Sequence, residues 1–487
     1  MHTRIELILQ TNQVESILVE NMFIEKKLKN IKSLPHKLYL SNPRLFTIST
    51  FAIIILAGAF VYYLRYPYNY TFSNFYAEDG KIFMKNIIEL GPVEALFQPF
   101  NGYLIIGVYG VTAFGWLLNS IFGSGFWTSA QFVAVASYIF LGLITCLPVI
   151  IFKKRLGLYS SIVLLLLLLL TPLGGYDYAV FGTTGNLKYA FMFIAFLLVV
   201  YRIDKNITKK PWQYFLVDAT FILCALTNML VIALLPLLLL QYKEDIIRIF
   251  KLKKINLNFD KISLLCLIII VTTYTIIVMI HGLTSIPGYL DGPIEKSAIP
   301  AILYRGSFYG FIYPITKLLN GFTLSFIFVV ITMFMIKSKY KLNLFILCYV
   351  LLVNTLGFVY SRPGVTSLFR DFNDINWPGH FFYAGTMIFT FGIIYIYHRE
   401  INMFIKNHNK FYILILTILT ITFMAPYSGS RFSFNELGTK RPTLKYEIDN
   451  KCSKNTKQII DIEIFPSEGW KMQIDKNIAC PKYLLDK

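Results

Sequence analysis

From residue 46 to residue 426 the chain alternates long apolar runs with short polar links. Most runs approach the roughly 20 residues that a helix needs to cross a bilayer. The pattern predicts spans near 46–64, 126–152, 157–172, 187–202, 213–226, 229–242, 262–281, 322–336, 342–360, 379–397 and 411–426, about eleven crossings. The run from Tyr214 to Tyr242 is read as two short helices, because basic residues flank both ends and Thr227-Asn228 is its polar break. The stretches 101–121 and 299–320 do not fit as crossings, since a span at 101–121 would move the Lys153 cluster outside and 299–320 carries Arg305 and Lys317. They are predicted as helices lying at, or dipping into, the outer surface.

After Pro426 the pattern changes. Ile460, Ile462 and Ile464 alternate with Asp461 and Glu463, then Pro466-Ser467-Glu468-Gly469 offers a turn before Trp470, Met472 and Ile474 alternate again. Period-two alternation on both sides of a turn predicts a β-hairpin. The expected fold class is therefore an all-α polytopic membrane protein with a small C-terminal β-unit. Its parts would be a cytoplasmic segment 1–45, a membrane domain 46–426 with an outer loop 65–125, and an outer tail 427–487.

Composition agrees with this division, for 56% of the 487 residues are hydrophobic and 15% charged, which excludes an ordinary soluble enzyme. The net charge of +19 would raise the question of nucleic acid in a soluble chain. Here 26 of the 46 basic residues fall in six links: 1–45, 153–155, 202–210, 243–261, 337–341 and 399–410. Such clusters orient helices by facing the cytoplasm, which places the N-terminus inside and the C-terminus outside and leaves no case for nucleic acid. The first apolar stretch lies too far along the chain for an ordinary cleaved signal and is expected to stay as an anchor. Cys452 and Cys480 are alone in the outer tail, where an oxidising compartment lets them pair, a link worth about 2 to 4 kcal/mol to a small unit.

The informative polar segment is the first outer loop, Asn74-Phe75-Tyr76-Ala77-Glu78-Asp79-Gly80-Lys81. Adjacent carboxylates there can serve as a base, or one of them can cap the helix expected from Lys81. No HExxH, CxxC, GxSxG or P-loop spacing occurs in the chain, so zinc hydrolysis, thiol redox chemistry, serine hydrolysis and direct triphosphate use have no motif to support them.

The segment Ala77-Glu78-Asp79-Gly80, followed by Gly102-Tyr103-Leu104, resembles the first outer loop of bacterial membrane glycosyltransferases of the C-type (GT-C) superfamily. The layout of spans, acidic loop and outer β-unit is similar as well. The resemblance implies a polyprenyl-phosphate sugar as donor, an extracytoplasmic glycan or teichoic-acid-like acceptor, and a single displacement with inversion in a bacterial plasma membrane. Asp79, or Glu78, would be the base. A cation must meet the departing phosphate, and Arg305, Arg362 and Arg370 are the expected group, arginine's planar fork suiting phosphate. Tyr103, Asp177 and Tyr178 are candidates for binding sugar or acceptor. The second outer loop lacks the paired acids that hold a metal in some members, so a divalent metal is left open and no other cofactor is expected. Membrane lipid, a lipid-sugar synthase and a flippase are the implied partners. Two rivals share these substrates: a transporter or flippase of lipid-linked glycans, and a polysaccharide polymerase or ligase. Transporters more often carry ionisable groups within their spans, where this chain has chiefly Asp218.

Overall fold

The computed structural model describes residues 43–171, 179–241 apart from 205, 206 and 208, 259–281, 293–303 apart from 300 and 301, 338–407 apart from 362, 363, 365 and 367–378, and 442–480 apart from 455–457 and 466–469. The expected spans 322–336 and 411–426 and most of 299–320 lie outside these residues. The chain falls into two compact units, 1–56 and 57–487. The first unit contributes the opening turns of α1 (Pro43–Arg65).

In the second unit follow α2 (Ile106–Phe122), α3 (Ser129–Leu169), α4 (Lys188–Ile203), α5 (Pro211–Ala225), α6 (Leu235–Gln241), α7 (Phe259–His281), α8 (Lys341–Ser361), α9 (Tyr383–Ile396) and α10 (His398–Asn407). Among the described residues five helices are long and apolar enough to cross a membrane: 47–65, 126–169, 185–203, 259–280 and 341–359. Their exposed faces are apolar too, as at Ile269, Ile276, Phe345 and Leu352, which suits a lipid solvent.

Polar side chains collect at the two ends of the bundle. At one end Asp204 pairs with Arg155 (3.4 Å) and accepts the Tyr395 hydroxyl (2.5 Å). Arg202 pairs there with Asp218 (3.3 Å) and donates to the Asp260 carbonyl (2.7 Å), while Lys339 and Tyr340 meet Glu400 at 2.8 and 2.7 Å. Described residues of the links 153–155, 202–210, 243–261, 337–341 and 399–410 thus come together. Asp218, in the middle of α5, reaches this cluster through Arg202 of the last turn of α4 and the Ser263 hydroxyl of the opening turns of α7.

At the opposite end, Tyr138 donates to the Tyr66 carbonyl (2.7 Å), Arg65 to the carbonyls of Leu169 (2.6 Å) and Thr171 (2.7 Å), and Asn228 to that of Lys188 (3.1 Å). These contacts set the direction of each segment. Within α3 the helical path is broken at Gly157 (φ 72°, ψ 177°), so the chain runs from Tyr138 to Arg155 and then returns to Leu169. Asn402 of α10 bridges the break, donating to the Leu156 carbonyl (2.6 Å) and accepting the Ser160 N–H (3.2 Å), which satisfies backbone groups the interruption would orphan. Likewise α5 ends at the Thr227-Asn228 turn, and the chain returns as a 3-10 segment, Met229–Leu234, and α6.

The stretch containing α2 does not run to the Asp204 end. The Gly107 N–H donates to the Thr227 hydroxyl (2.8 Å), Thr112 donates to Thr184 (2.8 Å), and the Thr128 hydroxyl donates to Asn119 (2.6 Å). The helix therefore lies beside the first turns of α3. It contains no charged residue and exposes Phe114, Leu117, Ile121 and Phe122.

The tail forms α11 (Leu444–Lys454) and a hairpin of β3 (Ile459–Glu463) and β4 (Lys471–Asp475). The strands are antiparallel, with Ile460 opposite Ile474 and Ile462 opposite Met472. These four side chains are buried while Asp461 and Gln473 face solvent, as the alternation predicts. Cys452 and Cys480 form a disulfide, their Cα atoms 5.9 Å apart. The hairpin's inner face shares one apolar cluster with Phe75, Met84, Phe126 and Val133, which joins tail, first loop and the start of α3.

Candidate active site

The first loop enters the site through two left-handed residues, Ser73 (φ 35°) and Ala77 (φ 40°), on either side of Asn74-Phe75-Tyr76. Non-glycine residues adopt this conformation rarely and at a cost that surrounding contacts must offset. The Phe465 N–H donates to the Phe75 carbonyl (2.9 Å) and the Ala77 N–H to the Phe465 carbonyl (2.5 Å), so the loop is bridged in parallel to the tail. Gly80 closes the motif because a β-carbon there would lie 2.7 Å from that of Phe75.

A helix starts at Asp79, as a π-turn to Met84 that continues into Lys85–Leu90. Neither acid caps it: Glu78 occupies the cap position without a side-chain bond, and the Asp79 carboxylate turns elsewhere. Its Oδ2 accepts the Thr184 N–H (2.8 Å) and its Oδ1 the Gly185 N–H (2.7 Å). Those amides open the turn Gly185–Leu187 that leads into α4, so Asp79 caps a helix more than a hundred residues away. Only 2% of Asp79 is exposed. Burial pushes its carboxyl up from 3.8 to about 7, with the two amide bonds pulling down and the charge of Glu78 pushing up. A carboxyl titrating near neutrality can take a proton from a hydroxyl and return it. Glu78, half-buried beside it, makes no hydrogen bond to a described residue.

A two-residue hairpin, β1 (Pro99–Phe100) and β2 (Tyr103–Leu104), forms the neighbouring wall. Its turn residues Asn101 (φ 50°) and Gly102 (φ 82°) both lie in the left-handed region, as a tight hairpin requires. The Leu104 N–H donates to the Tyr274 hydroxyl of α7 (2.8 Å), and Phe100 meets Phe83 edge-on at 5.5 Å, with Tyr103 6.5 Å away. Lys188, the first residue of α4 and 8% exposed, holds its ammonium 5.1 Å from the Phe100 ring and 5.5 Å from that of Tyr189. Arg65, also buried here, is committed to the two carbonyls that end the second half of α3 and lies 4.3 Å over Phe181.

No protein-family model, curated protein or solved structure matches the chain. The site is therefore read from its own residues.

Of the residues singled out in the sequence, Glu78 and Asp79 lie side by side at one end of the bundle, Tyr103 belongs to the neighbouring cluster of Phe83 and Phe100, and Cys452 and Cys480 lie in the tail packed on the first loop. Asp177, Tyr178, Arg305, Arg362 and Arg370 lie outside the described residues. Among the described residues no three of His, Cys, Asp or Glu group so as to hold a metal ion. Sequence reasoning gave no role to Asn74 or Thr184, and it counted Lys188 among the outer cations but preferred Arg305, Arg362 and Arg370. Thr184-Gly185 ahead of an apolar run is a helix-start signal, and Asn101-Gly102 a hairpin signal, so both turns were readable. That the first turn's amides would receive the acid of another loop was not.

Proposed function

We propose that the protein is a polytopic membrane glycosyltransferase that moves a single sugar from a polyprenyl phosphate to an acceptor outside the cytoplasm, a surface glycan or teichoic-acid-like polymer. The observation that carries this reading is the Asp79 carboxylate, buried, fixed by the Thr184 and Gly185 amides and poised near neutral pH at the bundle end away from the basic clusters. Those clusters mark the other end as cytoplasmic, so the acid faces the side where lipid-linked sugars are presented. Asp79, with Glu78 as the neighbouring alternative, takes the proton of the acceptor hydroxyl as it attacks the anomeric carbon. The bond to phosphate breaks with inversion, and its charge is met by outer cations, Arg305, Arg362 and Arg370 among them. Tyr103, Asp177 and Tyr178 would line the sugar or acceptor. About eleven spans, an inner N-terminus and an outer C-terminus in a bacterial plasma membrane complete the reading. A lipid-sugar synthase and a flippase would supply the donor, and chelator sensitivity tests whether a divalent metal assists.

The rival transporter reading wants free ionisable groups in the middle of spans, whereas Asp218 of α5 is ion-paired with Arg202 from the last turn of α4. The deciding experiment compares surface glycan structure in cells carrying the native chain, a deletion, Asp79→Asn and Glu78→Gln at equal protein levels. Loss of one side-branch sugar in the deletion and in at least one carboxamide variant supports the transferase. Loss in the deletion with full retention in both variants removes the assigned base and favours transport.

A further inference from the structure

We propose that the C-terminal hairpin braces the acidic pair and that Asn74 is the positioning residue through which it acts, a proposal that rests on the transferase reading for its catalytic consequence. Asn74 is 4% exposed, and its amide nitrogen donates to two tail carbonyls, Pro442 (2.9 Å) and Glu463 (3.3 Å). Its oxygen is buried and has no hydrogen-bond partner among the described residues, so among them the side chain is held by its donors alone. The next residues are stitched to the same tail: the Leu444 N–H donates to Ser73, Phe465 exchanges backbone bonds with Phe75 and Ala77, and Ile464 reaches to within 3.1 Å of where a β-carbon on Gly80 would stand. The Lys81 ammonium, two residues beyond Asp79, sits 5.1 Å from the Trp470 ring.

Every residue from Ser73 to Lys81 that fixes the course of the loop, apart from Asp79 itself, thus has a tail partner or is flanked by one. The left-handed backbone at Ser73 and Ala77 lies within this stitched stretch, where an unsupported loop would relax. The tail is in turn closed by the Cys452–Cys480 disulfide and by the cluster it shares with Phe75 and Met84. Among the described residues the hairpin makes no hydrogen bond to Thr184 or Gly185, so its influence on them passes through the first loop, whose Asp79 holds both amides.

That indirect path gives a readout that a merely local role would not move. In the full-length protein, hydrogen exchange at the amides of Thr184 and Gly185 reports whether Asp79 is in place, with Asp79→Ala setting the level for complete loss. Asn74→Ala removes the donors, and Asn74→Asp keeps the size while turning acceptors toward two carbonyls. Both are expected to speed exchange at 184–185 by about tenfold, with the interiors of α3 and α4 still protected. Acceleration confined to 442–480, with 184–185 unchanged, overturns the brace. Should the variants lose protection throughout, the native protein with its disulfide reduced is compared in the same way, and the same two outcomes decide. The surface-glycan assay separates this proposal from the one beneath it. Faster exchange at 184–185 together with loss of the sugar supports both, whereas faster exchange with the sugar retained upholds the brace and defeats the transferase reading.

Discussion

Asp79 Oδ1 accepts the Gly185 N–H at 2.7 Å across 106 residues of chain. The partner oxygen accepts the Thr184 N–H, so one carboxylate both caps the turn that leads into α4 and is held by it in a single orientation. A residue in that position answers to two demands, and its substitutions separate them.

Asp79→Asn keeps the shape but leaves one acceptor for two amides and turns an NH2 toward one of them. The expected cost is about 1 to 3 kcal/mol of stability, with transfer reduced on the order of a hundredfold or more if the base is lost. Glu78→Gln, with no hydrogen bond to lose, should leave the melting temperature within about 1 °C. Thermal unfolding of the purified chain beside the glycan assay checks both.

The carboxyl of Asp79 is raised from 3.8 to about 7 by burial, so the folded protein holds a proton that the unfolded chain releases. Its contribution to stability is whole below pH 4 and is lost as pH rises through 7, a change on the order of a few kcal/mol. Transfer should move the opposite way, rising through neutrality as the base ionises. Melting curves of the native chain and Asp79→Asn between pH 5 and 8 test this, and equal slopes would remove Asp79 as the source.

Reducing the Cys452–Cys480 disulfide opens a loop of 28 residues. The chain-entropy estimate for such a loop is about 3 to 4 kcal/mol. The tail should then be cut by a protease under conditions in which the bundle is not, and limited digestion with and without reductant measures the difference.

Arg202 and Asp218 form a buried pair that ties α4 to α5, and Arg202 reaches α7 as well. Removing one partner strands the other charge, so Arg202→Met or Asp218→Leu alone should cost about 3 to 5 kcal/mol, and the double replacement much less than the sum. A double-mutant cycle on the melting temperature shows whether the two are coupled.

Much of the architecture was legible because its causes are local. Hydrophobic runs, Thr227-Asn228 as a turn, the basic break 153–155 between two helices and the alternation of Ile460, Ile462, Met472 and Ile474 are properties of neighbouring residues. The basic links were legible as a group, and Arg155, Arg202, Lys209, Lys339 and Glu400 do lie in or beside the links that meet at one end. The role of Asp79 was only half legible. An acid before a helix reads as that helix's own cap, and the competing amides at 184–185 become visible only once the second loop is folded against the first.

By itself the sequence determined that most of the chain is apolar helix, that basic links lie near one another in the fold, and that the tail is a hairpin, since each follows from short-range pattern and solvent preference. The tertiary structure alone decided that α2 stays beside the start of α3, that Asp79 is buried on the Thr184 and Gly185 amides, that Arg65 is spent on helix carbonyls while Lys188 is enclosed near Phe100, and that Asn74 ties the acids to the tail. Those outcomes depend on which distant donor reaches which acceptor first in a crowded, water-poor space, and no local pattern carries that information.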